Sequence, residues 1–212
     1  MKIWKNLFGR KQNNDPVLTR EALKHFVEKY AYSIGDHSYG RPKLHFGADA
    51  RLTIGKYCSI AGSVEIFLGG NHRNDWVTTY PFPAFPFEWP AAKDISGFRV
   101  SRGDVLIGND VWLGDGTIVL SGATIGDGAV IGAKAVVGSH IPAYAVAVGN
   151  PAKVVKYRFE EEIIDQLLRI RWWDWNESKI AEFMPLLLSG NVSDFVAAAL
   201  ACHEIPVVTA DC

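Results

Sequence analysis

Six branched aliphatic residues stand six positions apart without a miss: Ile107, Leu113, Val119, Ile125, Ile131 and Val137. Neither the period of an α-helix nor that of a pleated strand produces this spacing, so the segment must coil, each hexad giving one short strand and one corner. Glycine follows the aliphatic residue at Gly108, Gly114, Gly126, Gly132 and Gly138. Four places after each aliphatic comes Val111, Thr117, Ala123, Ala129, Ala135 or Ile141, small or β-branched in every case. A narrow three-sided solenoid needs this: one aliphatic side chain per face fills the axis, and small residues permit the tight corners.

An earlier run of the same pattern occupies Ile54, Ile60 and Ile66, with Ile34-Gly35 as an outlier. Between the two runs, from about residue 68 to 105, the register is lost. That stretch holds Pro81, Pro83, Pro86 and Pro90 among phenylalanines, with His72, Trp76, Tyr80 and Trp89. A long interruption without a period of its own is uncommon inside a compact domain, and where it occurs it is commonly functional. Its rings require something to pack on, so we read it as an ordered excursion from a rigid coil, where sites tend to be built.

Length and charge narrow the function classes. The 212 residues suit one domain with short additions, and a net charge of −1 gives no electrostatic basis for nucleic-acid binding. Cys58, Cys202 and Cys212 are too few and scattered for a disulfide frame or a zinc site, and Cys58 takes a small inward hexad position, where it packs. MKIWKNLFGRK has no apolar run long enough for export, and no later segment reaches membrane-spanning length, so a cytoplasmic protein without stable membrane insertion is expected. Trp4, Leu7 and Phe8 leave room for a weak interfacial contact with a membrane or a partner.

The flanks read as helical. Leu18, Leu23, Phe26, Val27 and Tyr30 predict a short helix behind a Thr19 cap, within an N-terminal extension over residues 1–31. The coil spans 32–157, with the inserted loop. A C-terminal helical segment spans 158–212: Phe159, Ile163, Leu167 and Ile170 recur at helical spacing behind Glu160, Glu161 and Glu162, and further helices are expected over 177–188 and 192–201. These helices are expected to cover the open end of the coil, where axis and strand edges would otherwise face water.

Of the histidines His25, His37, His45, His72, His140 and His203, His72 stands out. It lies in GGNHRNDW, where the coil gives way to the excursion, with Asn71 and Asp75 near enough in sequence to orient an imidazole. An imidazole with an unperturbed pKa near ~6.5 accepts a proton near neutral pH. Such a base can activate a hydroxyl, because an alcohol is a poor nucleophile until its proton leaves.

GNHRNDWVTTYPF, IGNDVWLG, AVAVGNPAKVVKYRF, and then WWDW with MPLLLSGNV follow one another in this order. The series resembles the xenobiotic acetyltransferases, the hexapeptide-repeat enzymes that include type B chloramphenicol and streptogramin acetyltransferases, over roughly residues 32–195. Hexads alone would also suit γ-class carbonic anhydrases and nucleotide-sugar enzymes; the histidine loop and Trp-rich tail give the likeness its specificity.

The resemblance implies a mainly β chain folded as a left-handed parallel β-helix, with a protruding loop and C-terminal α-helices. It implies an O-acetyltransferase that takes acetyl-CoA as donor, requires no metal, and works as a homotrimer with active sites between subunits. His72 corresponds to the family's general base, and attack on the thioester is direct. The donor groove carries over to Trp112, Gly114, Gly132 and Ala133, with Lys153 and Lys156 toward the phosphates; Asn71, Asp75, Tyr80 and Phe82 fall on the acceptor side. A backbone amide near Asp115 or Gly116 is expected to receive the developing oxyanion.

Departures from the pattern bear on the acceptor. Type B chloramphenicol enzymes carry a longer Tyr- and His-rich segment where this chain has only YSIGDHSYGRPKLHFGADARLT, and the excursion builds its own aromatic wall in PFPAFPFEWPAAKDISG. The small-molecule acceptor therefore stays open between a hydroxyl of a saccharide and one of a natural product or antibiotic. Ser139 stands where related enzymes have a lysine, which weakens that phosphate contact. Other readings are an N-acetyltransferase of an amino sugar nucleotide, a γ-carbonic-anhydrase-like zinc enzyme, for which His72 lacks partners at hexad spacing, and a non-catalytic trimeric binding module.

Overall fold

The computed structural model describes residues 17–202, so Trp4, Leu7, Phe8, His203 and Cys212 lie outside the described residues. The hexads wind into a parallel β-helix with three faces. The first face stacks Ser33–Ile34, Leu52–Ile54, Val105–Ile107, Thr124–Ile125 and His140–Ile141. On the second lie Lys43–His45, Glu65–Phe67, Ile118–Val119 and Val136–Val137. The third holds Ser59–Ile60, Trp112–Leu113, Val130–Ile131 and Ala145–Val148, and Lys153–Tyr157 closes its edge antiparallel.

All six aliphatics of the regular run point at the axis and are at most 3% exposed. Successive turns pair at a separation of 18 residues, as in Ile107 with Ile125 and Leu113 with Ile131. Ile54 pairs with Ile107, 53 residues on, which places 35 residues beyond one turn in the excursion. Rung hydrogen bonds run through the corners as well as the strands, Gly55 N–H to Ile107 O and Gly108 N–H to Ile125 O for example, so the backbone is satisfied without long strands.

Two readings of the hexads are corrected. Ile34-Gly35 is no outlier, since Ser33–Ile34 pairs in parallel with Thr53–Ile54 on the first face. Ile141 does not fill a corner slot; it is the strand residue above Ile125, only 16 positions away, and the last turn is two residues short. The shortening at Ser139-His140 keeps an aliphatic on the axis, so burial decided the register and the strict count of six gave way.

The ends are closed differently from expectation. Helices α1 (Thr19–Ala22) and α2 (Lys24–Tyr30) carry Leu23, Phe26, Val27 and Tyr30 onto the coil core. Thr19 is not their cap: the cap position is Leu18, and the buried Thr19 hydroxyl donates to Gly40 O at 3.2 Å. At the other end the turn over residues 149–152 folds across the axis, with Val136 N–H donating to Gly149 O, Ala152 N–H donating to Val136 O, and Ala152 against the core.

The C-terminal helices α3 (Glu161–Ile170), α4 (Glu177–Leu187) and α5 (Val192–Ala201) do not cover that end. They form a second core with Trp173, Phe183 and Phe195 along the corner between first and third faces, resting on Tyr57 and the buried Tyr144. That corner is a column of left-handed residues, among them Tyr57, Asp110, Gly128 and Tyr144, and the rings of Tyr57 and Tyr144 give the helices their seat. Arg158 fastens the junction, donating to Asp110 Oδ2 at 3.1 Å and Gly128 O at 2.7 Å and lying over the Tyr144 ring.

Candidate active site

The excursion leaves the coil where the second face turns into the first. Its two legs pair as a short antiparallel ladder, Asn71 with Val100 and His72 with Arg99. His72 therefore sits at the neck of the hairpin, on its backbone ladder.

The imidazole is exposed, and its Nδ1 lies 2.8 Å from the carbonyl oxygen of Thr79. A carbonyl oxygen only accepts, so Nδ1 is the donor, and whenever the ring is neutral its lone pair is at Nε2. That is the tautomer a general base at Nε2 requires. No sequence signal could have named Thr79, because its backbone does the orienting.

The side chains expected to orient His72 are engaged elsewhere. Asp75 is clasped by the guanidinium of Arg73, whose Nε donates to Oδ1 at 2.6 Å. The hydrogen bond from Arg73 holds the Asp75 carboxyl down at about 2. Asn71 points back to the coil, its amide donating to Ser121 Oγ at 3.2 Å. Sequence proximity brought these groups near the ring, but each found a stronger partner first.

The other described histidines have local occupations. His37 stacks on Tyr57 with centroids 4.7 Å apart, and His25 meets the edge of Phe26. His45 Nε2 lies 2.6 Å from Glu65 Oε2, with the imidazole flat on Phe67 at 4.1 Å. His140 Nδ1 is 2.8 Å from Thr124 Oγ1. Among the described residues no three histidine, cysteine, aspartate or glutamate side chains converge as a metal cage would need.

Past His72 the excursion stacks its own rings. Tyr80 and Phe82 meet at 4.7 Å, Tyr80 and Phe85 at 5.8 Å, and Phe82 and Trp89 edge to face at 5.0 Å. Tyr80 and Phe82 thus belong to one aromatic wall, with Tyr80 exposed and Phe82 half-buried.

The residues of the expected donor groove lie on or beside the third face. Ser59, Trp112, Val130, Val146 and Lys156 form one row across it by strand register. Trp112 is 54% exposed, and Lys156 stands three strands away, about 14 Å at ~4.8 Å per strand. Lys153 is exposed at the other end of the edge strand, and Ala133 at the next corner.

Gly114 and Gly132 are glycines for the coil's sake. A Cβ on Gly114 would stand 2.6 Å from the Ala133 nitrogen, and one on Gly132 would stand 2.7 Å from a Val148 methyl. Lys156 also lines a cleft of about 770 Å³ with Arg158, Glu160, Glu161 and Asp165, so it serves a mixed-charge environment.

His72 and Trp112 are not brought together within one chain: one rises from the corner between second and first faces, the other projects from the third. Of the two amides considered for an oxyanion, Gly116 N–H is committed to Gly62 O at 3.0 Å, which removes it as a donor.

Residues 104–139 match the family described as bacterial transferase hexapeptide (six repeats). The chain is 41% identical over 176 residues to a chloramphenicol acetyltransferase of Agrobacterium fabrum, covering 79% of this chain and 83% of that protein. It is 39% identical over 186 residues to a virginiamycin A acetyltransferase of Staphylococcus aureus, covering 84% and 82%. Among solved structures, a galactoside acetyltransferase in complex with coenzyme A aligns with a TM-score of 0.44 at 25% identity, covering 67% of this chain and 75% of that one.

Proposed function

The chain belongs to the xenobiotic acetyltransferase family of hexapeptide enzymes, and from that premise we propose that His72 is the general base of an acetyl-CoA-dependent O-acetyltransferase whose acceptor is a hydroxyl of a saccharide or antibiotic. The observation that carries this reading is the 2.8 Å approach of His72 Nδ1 to the Thr79 carbonyl, which can only accept and so leaves Nε2 free on an exposed ring.

In the proposed step, Nε2 takes the acceptor hydroxyl proton as the oxygen bonds to the thioester carbon. The carbon–sulfur bond breaks, and the imidazolium returns the proton to the departing thiolate. The ester and free CoA leave a neutral His72, with no acyl-enzyme. The Thr79 carbonyl also stabilises the transient imidazolium, since Nδ1–H remains its donor throughout.

On the donor side we assign Trp112, Gly114, Gly132 and Ala133 to the wall along which the extended arm lies, with Lys153 and Lys156 toward the phosphates. The fit rests on an exposed indole with no ring partner among the described residues, on a wall that admits no side chains at the glycines, and on two exposed cations. Lysine suits a phosphate as a compact point charge. On the acceptor side Tyr80 and Phe82 are the wall, while Asn71 and Asp75 act within the hairpin.

The separation of His72 from Trp112 on different sides of one coil favours a site completed by a neighbouring subunit in a homotrimer. The test is CoA release with chloramphenicol, virginiamycin, a macrolide and a panel of sugars as acceptors, comparing wild type with His72→Ala. We expect a loss of about 10²–10⁴-fold in turnover; wild-type activity in the variant would overturn the assignment.

A further inference from the structure

Four polar side chains are buried among the described residues: Thr19, Ser38, Thr117 and Ser121. Three of them bond to the backbone of the coil and its flank, Thr19 to Gly40 O, Ser38 to Gly55 O and Cys58 N–H, and Thr117 to Gly114 O. Ser121 differs. It is 2% exposed, and its Oγ accepts from the Asn71 side-chain amide at 3.2 Å and from the Arg102 backbone N–H at 3.2 Å.

Those two donors stand on opposite legs of the excursion. Asn71 is the outgoing residue directly before His72, and Arg102 lies on the return, two residues past the ladder. Ser121 occupies the corresponding corner one turn further along the coil, beneath the point where the chain departs and comes back. Gly122 N–H donates to Gly103 O at 2.9 Å, and Ser101 Oγ donates to Leu68 O at 2.8 Å, closing the neck around the same corner.

The geometry points to Ser121 as a positioning residue for His72: one buried hydroxyl oxygen on the rigid coil fixes both legs of the hairpin that aims the imidazole. The inference rests on the reading of His72 as the base. The ring itself is exposed and has no other described side chain to hold it, so its direction depends on the Thr79 carbonyl and on where the neck stands. Removing the Ser121 oxygen frees Asn71 and leaves Arg102 N–H without its acceptor.

Ser121→Ala is tested by the nitrogen resonances of the His72 ring, identified as the signals missing in His72→Ala, in the neutral form. Wild type is expected to show the Nδ1–H tautomer, and Ser121→Ala a shift toward the Nε2–H form that free imidazole side chains prefer. With a responding acceptor, turnover should fall about tenfold while the KM for acetyl-CoA stays within about twofold, because the third face is untouched. Placed in the His72→Ala background, the same substitution should cost nothing more.

An unchanged tautomer in Ser121→Ala, or an equal loss in the His72→Ala background, would overturn the proposal. Should Ser121→Ala fail to fold, Asn71→Ala removes one of the two bonds from the exposed side and is held to the same readouts, with a smaller shift expected. Full activity in His72→Ala would instead defeat the assignment of the base, and the tautomer measurement would still report on Ser121.

Discussion

The coil from Val105 to Val148 and the excursion from Asn71 to Val100 use their apolar residues in opposite ways. Along the coil the six axial aliphatics from Ile107 to Val137 are at most 3% exposed, and every turn covers the one before it. Between Arg73 and Phe98 only Ala92 is buried, Val77 and Phe87 stand fully in solvent, and the rings lean mainly on one another. A solenoid is self-sufficient because each repeat is its neighbour's partner. Among the described residues the excursion has no such partner, and its wall of Tyr80, Phe82, Phe85 and Trp89 has the character of a surface made to meet something else.

Stability should follow the same division. Leu113 is fully buried, paired with Ile60 below and Ile131 above, so Leu113→Ala opens a hole that rigid rungs cannot collapse into. We expect a loss of about 2–5 kcal/mol by denaturant titration. Phe87, 98% exposed, should cost within about 0.5 kcal/mol when cut to alanine. A Phe87→Ala loss above about 2 kcal/mol would break the comparison, since it would put that ring in the interior of an assembly.

Legibility in the sequence divides along the same line. Ile107 to Val137 announce their burial because a solenoid repeats one local requirement, and any single hexad confirms its neighbours. The two-residue shortening before Ile141 was hidden, because Val136 through Ile141 still reads as plausible hexad content until the rung pairing with Ile125 is seen. His72 was visible as a polar residue at a break in period. What aims it was not: the Thr79 carbonyl has no side-chain signature, and Ser121 looks like any small corner residue until a hairpin inserted 50 positions earlier returns to it. Asn71 and Asp75 misled because closeness along a chain says little about direction when an arginine or a serine competes.

Alkaline titration sharpens the contrast from within the coil. Burial pushes the Cys58 thiol up to about 11 from an ordinary value of 9.0, and the Tyr32 hydroxyl, which donates to Gly47 O, up to about 12 from 10.0. Both folded values are raised, so the folded state prefers the protonated groups. Stability is then flat below pH ~9 and falls as the unfolded chain alone ionises, with the Cys58 contribution complete above ~11. A shift of this size corresponds to about 2–3 kcal/mol for Cys58. Unfolding midpoints measured from pH 8 to 11 should decline for wild type, and Cys58→Ala should postpone the decline to the range where Tyr32 begins. An identical decline in the variant would show that the coil interior admits hydroxide-accessible water at Cys58.

The smallest effect belongs to the excursion and decides what kind of order it has. Asp75 is spent on Arg73, and the Arg73 guanidinium also lies 5.5 Å from the Trp76 ring, so the turn after His72 is held by its own exposed ion pair. If the imidazole is aimed through Thr79 and the neck, Asp75→Asn should leave turnover within about twofold, as an exposed pair contributes little. If the carboxylate reached the ring, the same change would cost an order of magnitude or more and would move the pH dependence of turnover with it. Measuring turnover against pH for Asp75→Asn beside Ser121→Ala therefore separates two ways of building a loop site. In one, local charges inside the loop set the base; in the other, the rigid coil sets it from below, and the loop's own ion pair is incidental to catalysis.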